Sequence, residues 1–152
     1  MKKLNFRALA ILLFTLPLFF VACDEDENTI SGAYTDGAFI CNEGTFGVGN
    51  GSVSFYSYSN DSLYNNIFLG VNGRVLGDVV QSITVHNSYA YIVVNASNKV
   101  EVVTYNDFVE HGVIDDVVSP RYFLAINDNK AYVSQWGENG AVKVIDLKTF
   151  TV

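Results

Sequence analysis

The stretch ITVHNSYAYIV at residues 83–93 recurs as LAINDNKAYVS at residues 124–134. The two copies lie 41 residues apart, and each places turn residues between two short β-type runs. A repeat of about 40 to 50 residues made of such runs supplies four strands, which is the size of one blade of a β-propeller. The repeat therefore predicts an all-β fold built from four-stranded blades.

One complete repeat unit is recognisable between two partial ones. Its four predicted strands cover residues 82–85, 89–94, 99–105 and 110–114. Short alternating runs bounded by Asn, Asp, Gly and Ser are strand and turn signals, and the region after about Asp36 shows no helical apolar periodicity. We therefore expect strands and turns throughout that region.

The flanking units are incomplete at their outer ends. Upstream, AFICN at 38–42 matches the second strand of the complete unit at an offset of 52, because the loop at 43–51 is longer, and SVSFY at 52–56 matches the third. Downstream, the unit from Tyr122 onward has strands at 130–134 and 141–146, and the offset grows to 42 there. The sequence thus predicts about two and a half blades over residues 37–152.

A propeller closes with four to eight blades, and an open array leaves strand edges and an apolar blade face uncovered. We therefore interpret the chain as the N-terminal fragment of a protein of roughly 300 residues or more, or as one part of an assembly. The alternative is a small β-sandwich that is complete in itself.

The N-terminus has the three-part plan of a secretory signal. Lys2, Lys3 and Arg7 precede an apolar run at 8–20, which is too short for a stable membrane span. The FVAC sequence at 20–23 resembles a bacterial lipobox, which predicts a lipoprotein signal peptide over residues 1–22 and a lipidated Cys23. The alternative is an ordinary cleaved signal peptide with an incidental cysteine.

The next segment, residues 23–36, is predicted to be an acidic flexible tether. Its DEDE run at 24–27 cannot pack because like charges repel. The run also resembles the export signal of surface lipoproteins in Bacteroidetes, which implies an outer-membrane lipoprotein exposed at the cell surface. A periplasm-facing lipoprotein is the alternative.

The charge of the chain argues against nucleic acid as a partner. Removing residues 1–22 leaves six basic against sixteen acidic side chains, a formal charge of −10. Such a surface repels phosphate backbones.

Patterns for catalysis are weak, and we predict no catalytic residues, no metal and no cofactor. The glycine-rich loop at 44–51 is not followed by Gly-Lys-Ser/Thr or by a helix, so we interpret it as a hairpin loop. His86 and His111 occupy different repeat positions without ligand spacing. With Cys23 acylated, Cys41 has no partner for a disulfide and is predicted to be a small buried hydrophobe.

Binding is better supported than catalysis. In a propeller, the loops between the second and third strands and those between blades emerge on one face, and here they fall at 42–51, 71–81, 95–98, 115–121 and 135–140. Amides, aromatic rings and arginines suit a large polar ligand, although Asn and Gly are also ordinary turn residues and Trp136 could cap the blade core. The candidate ligand-binding residues are Asn42, Glu43, Phe46, Asn72, Arg74, Gln81, Asn95, Arg121, Tyr122 and Trp136.

A series of motifs over roughly residues 37–152 resembles the YncE-like β-propeller lipoproteins of Bacteroidetes. The resemblance implies a seven-bladed propeller on the cell surface, and the similar cobalamin-capture lipoproteins hold a corrinoid on the loop face and pass it to an outer-membrane transporter. The wider superfamily is called quinoprotein amine-dehydrogenase-like, but no quinone precursor is present here, so that activity is not carried over. The motifs are NEGTFG (42–47), GNGSVSFY (49–56), LGDVVQS (76–82), YIVVN (91–95), KVEVV (99–103) and SPRY (119–122).

These observations lead to a ranked set of functions. The first is a non-catalytic, surface-anchored propeller that captures a large polar nutrient, with cobalamin the first candidate and an outer-membrane transporter as its partner. The second is a structural or protein-interaction propeller without a small ligand, and the third is an enzyme of the quinoprotein-like class. Separately, DSL at 61–63 resembles the short acceptor for O-glycosylation in Bacteroidetes, which would modify Ser62.

Overall fold

The computed structural model describes residues 33–152, which form three antiparallel β-sheets and one short helix. The first sheet has the order β1-β2-β3, the second β4-β5-β6-β7, and the third β10-β9-β8. This all-β architecture of three- and four-stranded sheets is compatible with partial propeller blades. The strands are β1 (Gly37–Asn42), β2 (Ser52–Ser57), β3 (Ser62–Tyr64), β4 (Val80–His86), β5 (Tyr89–Val94), β6 (Lys99–Thr104), β7 (Glu110–Ile114), β8 (Pro120–Asn127), β9 (Lys130–Gln135) and β10 (Ala141–Asp146).

The second sheet is the complete four-stranded unit that the repeat predicts. Its strands pair in chain order, and β4 and β5 meet at a tight turn in which His86 pairs with Tyr89. Asn87 in that turn has a φ of 52°, a left-handed conformation that Asn tolerates better than most residues. As predicted, the first sheet has no strand equivalent to β4 and the third has none equivalent to β7, within the described residues.

Two apolar cores hold the sheets face to face. One lies between the first and second sheets and includes Phe55, Ile92 and Phe108. The other lies between the second and third sheets, where Tyr91 stacks on Phe123 with ring centroids 4.2 Å apart. The second sheet is therefore covered on both faces, which explains why β5 is a continuous apolar run and why four consecutive residues of β6 are buried, rather than every second one.

The prediction that residues 41 apart occupy equivalent positions is wrong for most of the first strand of the second and third sheets. Ile83 pairs with Ile92 and Phe123 pairs with Val133, so the structural equivalent of Ile83 is Phe123, 40 residues later, and not Leu124. A bulge between Ala125 and Asn127 inserts the extra residue and restores the offset of 41. A bulge shifts every preceding side chain to the other face, and sequence similarity alone does not reveal it.

A six-residue helix, α1 (Ile67–Asn72), corrects the expectation that only strands and turns follow Asp36. It is less than two turns long, contains Gly70, and has no side-chain cap at Asn66, so it leaves no periodic signal in the sequence. Burial of Ile67 and Phe68 against the first core stabilises it instead.

Residues 33–36, the last four of the predicted tether, pack against the first core. The ring of Tyr34 lies edge-on to Phe55 and Phe108, and its backbone N–H donates to the carbonyl of Asn106. The predicted signal peptide, Cys23 and the acidic run lie outside the described residues. None of the helical structure in residues 33–152 is long and apolar enough to cross a bilayer.

Candidate functional site

The predicted loops do meet at one end of the three sheets. The backbone N–H of Gly51 donates to the carbonyl of Gly77, and the side chain of Asn98 accepts from the backbone of Ser119. The hairpin turns at 87–88 and 128–129 lie at the opposite end of their strands, since consecutive antiparallel strands reverse direction. We call the cluster formed by residues 42–51, 73–81, 95–98, 115–121 and 135–140 the loop end.

The same backbone arrangement occurs at the loop end of the second and of the third sheet. Val79 and Ser119 both have a left-handed backbone, with φ of 58° and 49°. The N–H of Asn95 donates to the carbonyl of Val79 at 2.8 Å, and the N–H of Trp136 donates to the carbonyl of Ser119 at 3.0 Å. Each hydrogen bond ties the loop after the second strand of a unit to the entry of its first strand.

A bulge follows each of these left-handed residues. The pairing register shifts between Val80 and Ser82 in β4, and between Pro120 and Tyr122 in β8. Gln81 and Arg121 are the residues that the ladder skips, and bulges are known to redirect such side chains. The two bulge residues are therefore equivalent, as are the loop residues Asn95 and Trp136.

Arg121 and Trp136 form a stacked pair in the third sheet. The guanidinium carbon lies 3.9 Å from the centre of the indole, and Trp136 remains 64% exposed. The exposure excludes the alternative that Trp136 caps the blade core. Gly137 allows the close approach of this loop, because a Cβ there would lie 2.4 Å from Val118.

The equivalent residues of the second sheet carry amides. Asn95 is buried and its Nδ2 donates to the carbonyl of Pro120 at 2.8 Å, which fixes the backbone just before Arg121. The Oε1 atom of Gln81 is buried and accepts no hydrogen bond from residues 33–152. Ser82, the next residue, donates through Oγ to the carbonyl of Arg121, so the two bulges lie on adjacent strands.

Asn72 and Arg74 are occupied by contacts within the chain. Asn72 donates to the carbonyl of Phe108 and accepts from the backbone of Glu110. Arg74 pairs with Glu110 and with Glu101, whose side chain is fully buried and also pairs with Lys99 at 2.6 Å. Hydrogen bonding to Glu101, opposed by burial, raises the pKa of Arg74. These contacts hold the connection between the first two sheets in place.

The long loop of the first sheet exposes an aromatic side chain. Phe46 is 79% exposed, and Glu43 is also exposed. The Oδ2 atom of Asp78 accepts from the backbone of Gly47 at 2.7 Å, which attaches the loop to the next connection. Asn42 donates to Ser52 and Ser54 and so belongs to a polar network within the first sheet.

A cavity of about 280 Å³ lies beside this long loop. Its walls are apolar at α1 and the following connection, with asparagine side chains among the lining. The lining residues are Asn50, Gly51, Ser52, Asn66, Phe68, Leu69, Val75 and Leu76.

Tyr122 belongs to a different surface from the stacked pair. It is 60% exposed in β8, and Leu124, Val142 and Val144 of the same sheet are at least half exposed. The equivalents of these two valines in the second sheet, Val100 and Val102, are fully buried against the third sheet. The outward face of the third sheet is therefore an apolar surface.

The sequence analysis did not identify Asp78, or Val79 and Ser119 with their left-handed backbone. Asp78 accepts from Gly47, and its Oδ1 atom is buried without a partner among residues 33–152. Their position in the repeat could have revealed them, because LGDVVQS at 76–82 and the segment ending SPRY at 119–122 both stand at the start of the first strand of a unit. Val79 gave no signal, because a β-branched residue rarely adopts positive φ.

Of the remaining residues, Ser62 and His86 lie at the end that carries the hairpin turns, whereas Cys41 adjoins the loop at 42–51. Ser62 begins β3 and its Oγ donates to the carbonyl of Asn60, at the end of the sheet that carries the hairpin turns. Cys41 is half-buried rather than fully buried, and desolvation raises its pKa to about 11. His86 lies 3.5 Å from Asp128 across the hairpin turns, and no group of three or more metal-ligating side chains occurs in residues 33–152.

The fold and the loop end define an all-β domain of packed antiparallel sheets with polar and aromatic loops gathered at one end. The chain belongs to the family described as domain of unknown function DUF5074, whose model matches residues 36–152. A search of curated proteins finds no match to the chain.

Proposed function

We propose that this chain is part of a β-propeller lipoprotein of the cell surface whose loop end binds a large polar nutrient without catalysis. A corrinoid is the first candidate ligand, and an outer-membrane transporter is the proposed recipient. The resemblance to YncE-like propellers, with seven blades in full, supports this proposal together with the sequential strand order of the sheets. Lipidation at Cys23 would keep the domain at the membrane.

The stacked Arg121–Trp136 pair is the observation that carries the proposal. It places a cation and an exposed indole at the loop end, next to Pro120, whose carbonyl accepts from the buried amide of Asn95. Aromatic rings supply contact area to a ligand while a few polar groups fix its orientation. The cavity beside the long loop adds room for a projecting group at the same end.

Calorimetric titration of the full-length protein with cyanocobalamin tests this function. We expect a saturable heat at micromolar ligand, because a preformed face loses little conformational entropy on binding. The absence of both heat and a spectral change at micromolar cyanocobalamin would remove the corrinoid from consideration.

A protein-interaction function is the second candidate, and the exposed apolar side chains favour it. Phe46 and Val48 are 79% and 63% exposed in the long loop, and the outward face of the third sheet is apolar. Exposed apolar patches mark contacts with other proteins. Recovery of one stable partner from membranes, using protein that binds no corrinoid, would support this candidate over the first.

A further inference from the structure

We propose that Arg121, held flat on Trp136, is a subsite for a phosphate group of the bound ligand. This assignment rests on the proposed function, because it names the part of the ligand that the loop end recognises. It concerns one side chain and one chemical group, so it can fail while the proposed function stands.

The first argument is that Arg121 has no acidic partner among the described residues. Of the two arginines in residues 33–152, Arg74 pairs with Glu101 and Glu110, whereas Arg121 pairs with no carboxylate in this range. Glu138 lies in the same loop as Trp136. Its Oε2 atom forms an ion pair with Nζ of Lys143 at 2.9 Å and accepts a hydrogen bond from Gln135. A cation that lacks an acidic partner in so acidic a chain is available to an anion from outside.

The second argument is geometric. Stacking uses the flat face of the guanidinium and leaves its N–H donors free at the edge, where they match a phosphate in bidentate fashion. The side chain of Arg121 donates no hydrogen bond within the described part of the chain. The indole also restricts the rotamers of Arg121, which lowers the entropy lost when the anion binds.

The third argument is that the backbone around Arg121 is fixed on every side. Asn95 donates to the carbonyl of Pro120, and Ser82 donates to the carbonyl of Arg121 itself. The N–H of Trp136 donates to the carbonyl of Ser119, two residues earlier. These contacts come from both the second and the third sheet, so both sheets hold the backbone that carries the stacked pair.

Two corrinoids that differ by the phosphate-bearing nucleotide loop test the subsite. Cyanocobalamin carries a phosphodiester in its nucleotide loop, and dicyanocobinamide has the corrin ring without that loop. We expect Arg121→Gln to weaken cyanocobalamin binding by about tenfold or more, the effect of losing a charge-assisted hydrogen bond, and to leave dicyanocobinamide within twofold. Lys148→Gln removes the same charge beyond β10, at the other end of the sheet, and should change neither affinity.

The outcomes separate the subsite from the function. If Arg121→Gln weakens both corrinoids equally, or neither, the phosphate assignment is wrong while corrinoid binding stands. If the native protein binds neither corrinoid, the proposed function fails, and α-ribazole phosphate against α-ribazole then decides the subsite. In that case binding of the phosphate form alone, lost in Arg121→Gln, supports the assignment, and its absence overturns it.

A second variant guards against misfolding. Arg121→Lys keeps the charge but not the planar fork, so we expect a cyanocobalamin affinity between those of the native protein and Arg121→Gln. An affinity for Arg121→Lys equal to that of Arg121→Gln, in protein with native circular dichroism, would argue that the charge is not what binds.

Discussion

Individual residues in this chain acquire their roles from neighbours that lie far away in the sequence. Arg74 and Arg121 are both arginines in predicted loops. The first forms ion pairs with Glu101 and Glu110, whereas the second stacks on the indole of Trp136 and pairs with no carboxylate among residues 33–152. Composition identified both as candidates for ligand binding. Only the packing of strand β6, which brings a fully buried Glu101 under Arg74, distinguishes them.

Cys41 gives a prediction at the residue scale. Burial raises its pKa to about 11, so at pH 8 the native thiolate fraction is about 100-fold lower than in an unfolded chain whose thiol titrates near 9. The higher nucleophilicity of a less acidic thiol offsets part of this, and we expect reaction with DTNB to be about tenfold slower in native protein than in urea. Equal rates in the two states would contradict the burial of Cys41.

The same thiol sets a sign for the pH dependence of stability. Its folded pKa lies above its unfolded value, so its contribution to the free energy of unfolding is present below pH 9 and is lost as the pH rises through about 11. The variant Cys41→Ala should lose this part of the slope between pH 9 and 11 and serves as the control. Denaturation in urea at a series of pH values measures both proteins.

At the scale of elements, most strands were predictable and their irregularities were not. Strands β5 and β7 begin and end where the repeat places them, because β-branched runs between turn residues are local signals. The bulges at Gln81 and Arg121 and the short helix α1 depend on contacts between sheets, which leave no local pattern. The loop end could therefore be predicted as a region, but the stacked pair within it could not.

Gly77 tests the packing that joins the first two sheets at the loop end. It has a φ of 137°, and a Cβ there would lie 2.4 Å from Oγ of Ser97. We expect Gly77→Ala to lower the free energy of unfolding by about 2 to 4 kcal/mol, from backbone strain and overpacking together. Urea denaturation monitored by circular dichroism measures the change.

Gly49 is the matched control for Gly77. It also has a positive φ, 72°, but nothing lies within 4 Å of its added Cβ, so Gly49→Ala should cost only about 1 kcal/mol. Similar losses for the two variants would show that backbone conformation alone matters and that the contact with Ser97 does not.

For the whole molecule, the three sheets divide the surface into parts with different chemistry. The loop end is polar and aromatic, the opposite end carries hairpin turns, and the outward face of the third sheet is apolar. Val142 and Val144 on that face correspond to buried valines of the second sheet, so a further sheet of the same kind would fit it. This equivalence is why we propose a propeller rather than a sandwich.

Hydrogen–deuterium exchange of the full-length protein with and without cyanocobalamin tests the central claim most directly, because it shows where the ligand binds. We predict slower exchange in the loops at 43–51, 95–98 and 135–140, with no change in the hairpin turns at 87–88 and 128–129 of the same molecules. Protection confined to the hairpin turns, or to the outward face of the third sheet, would contradict the assignment of the loop end as the binding face.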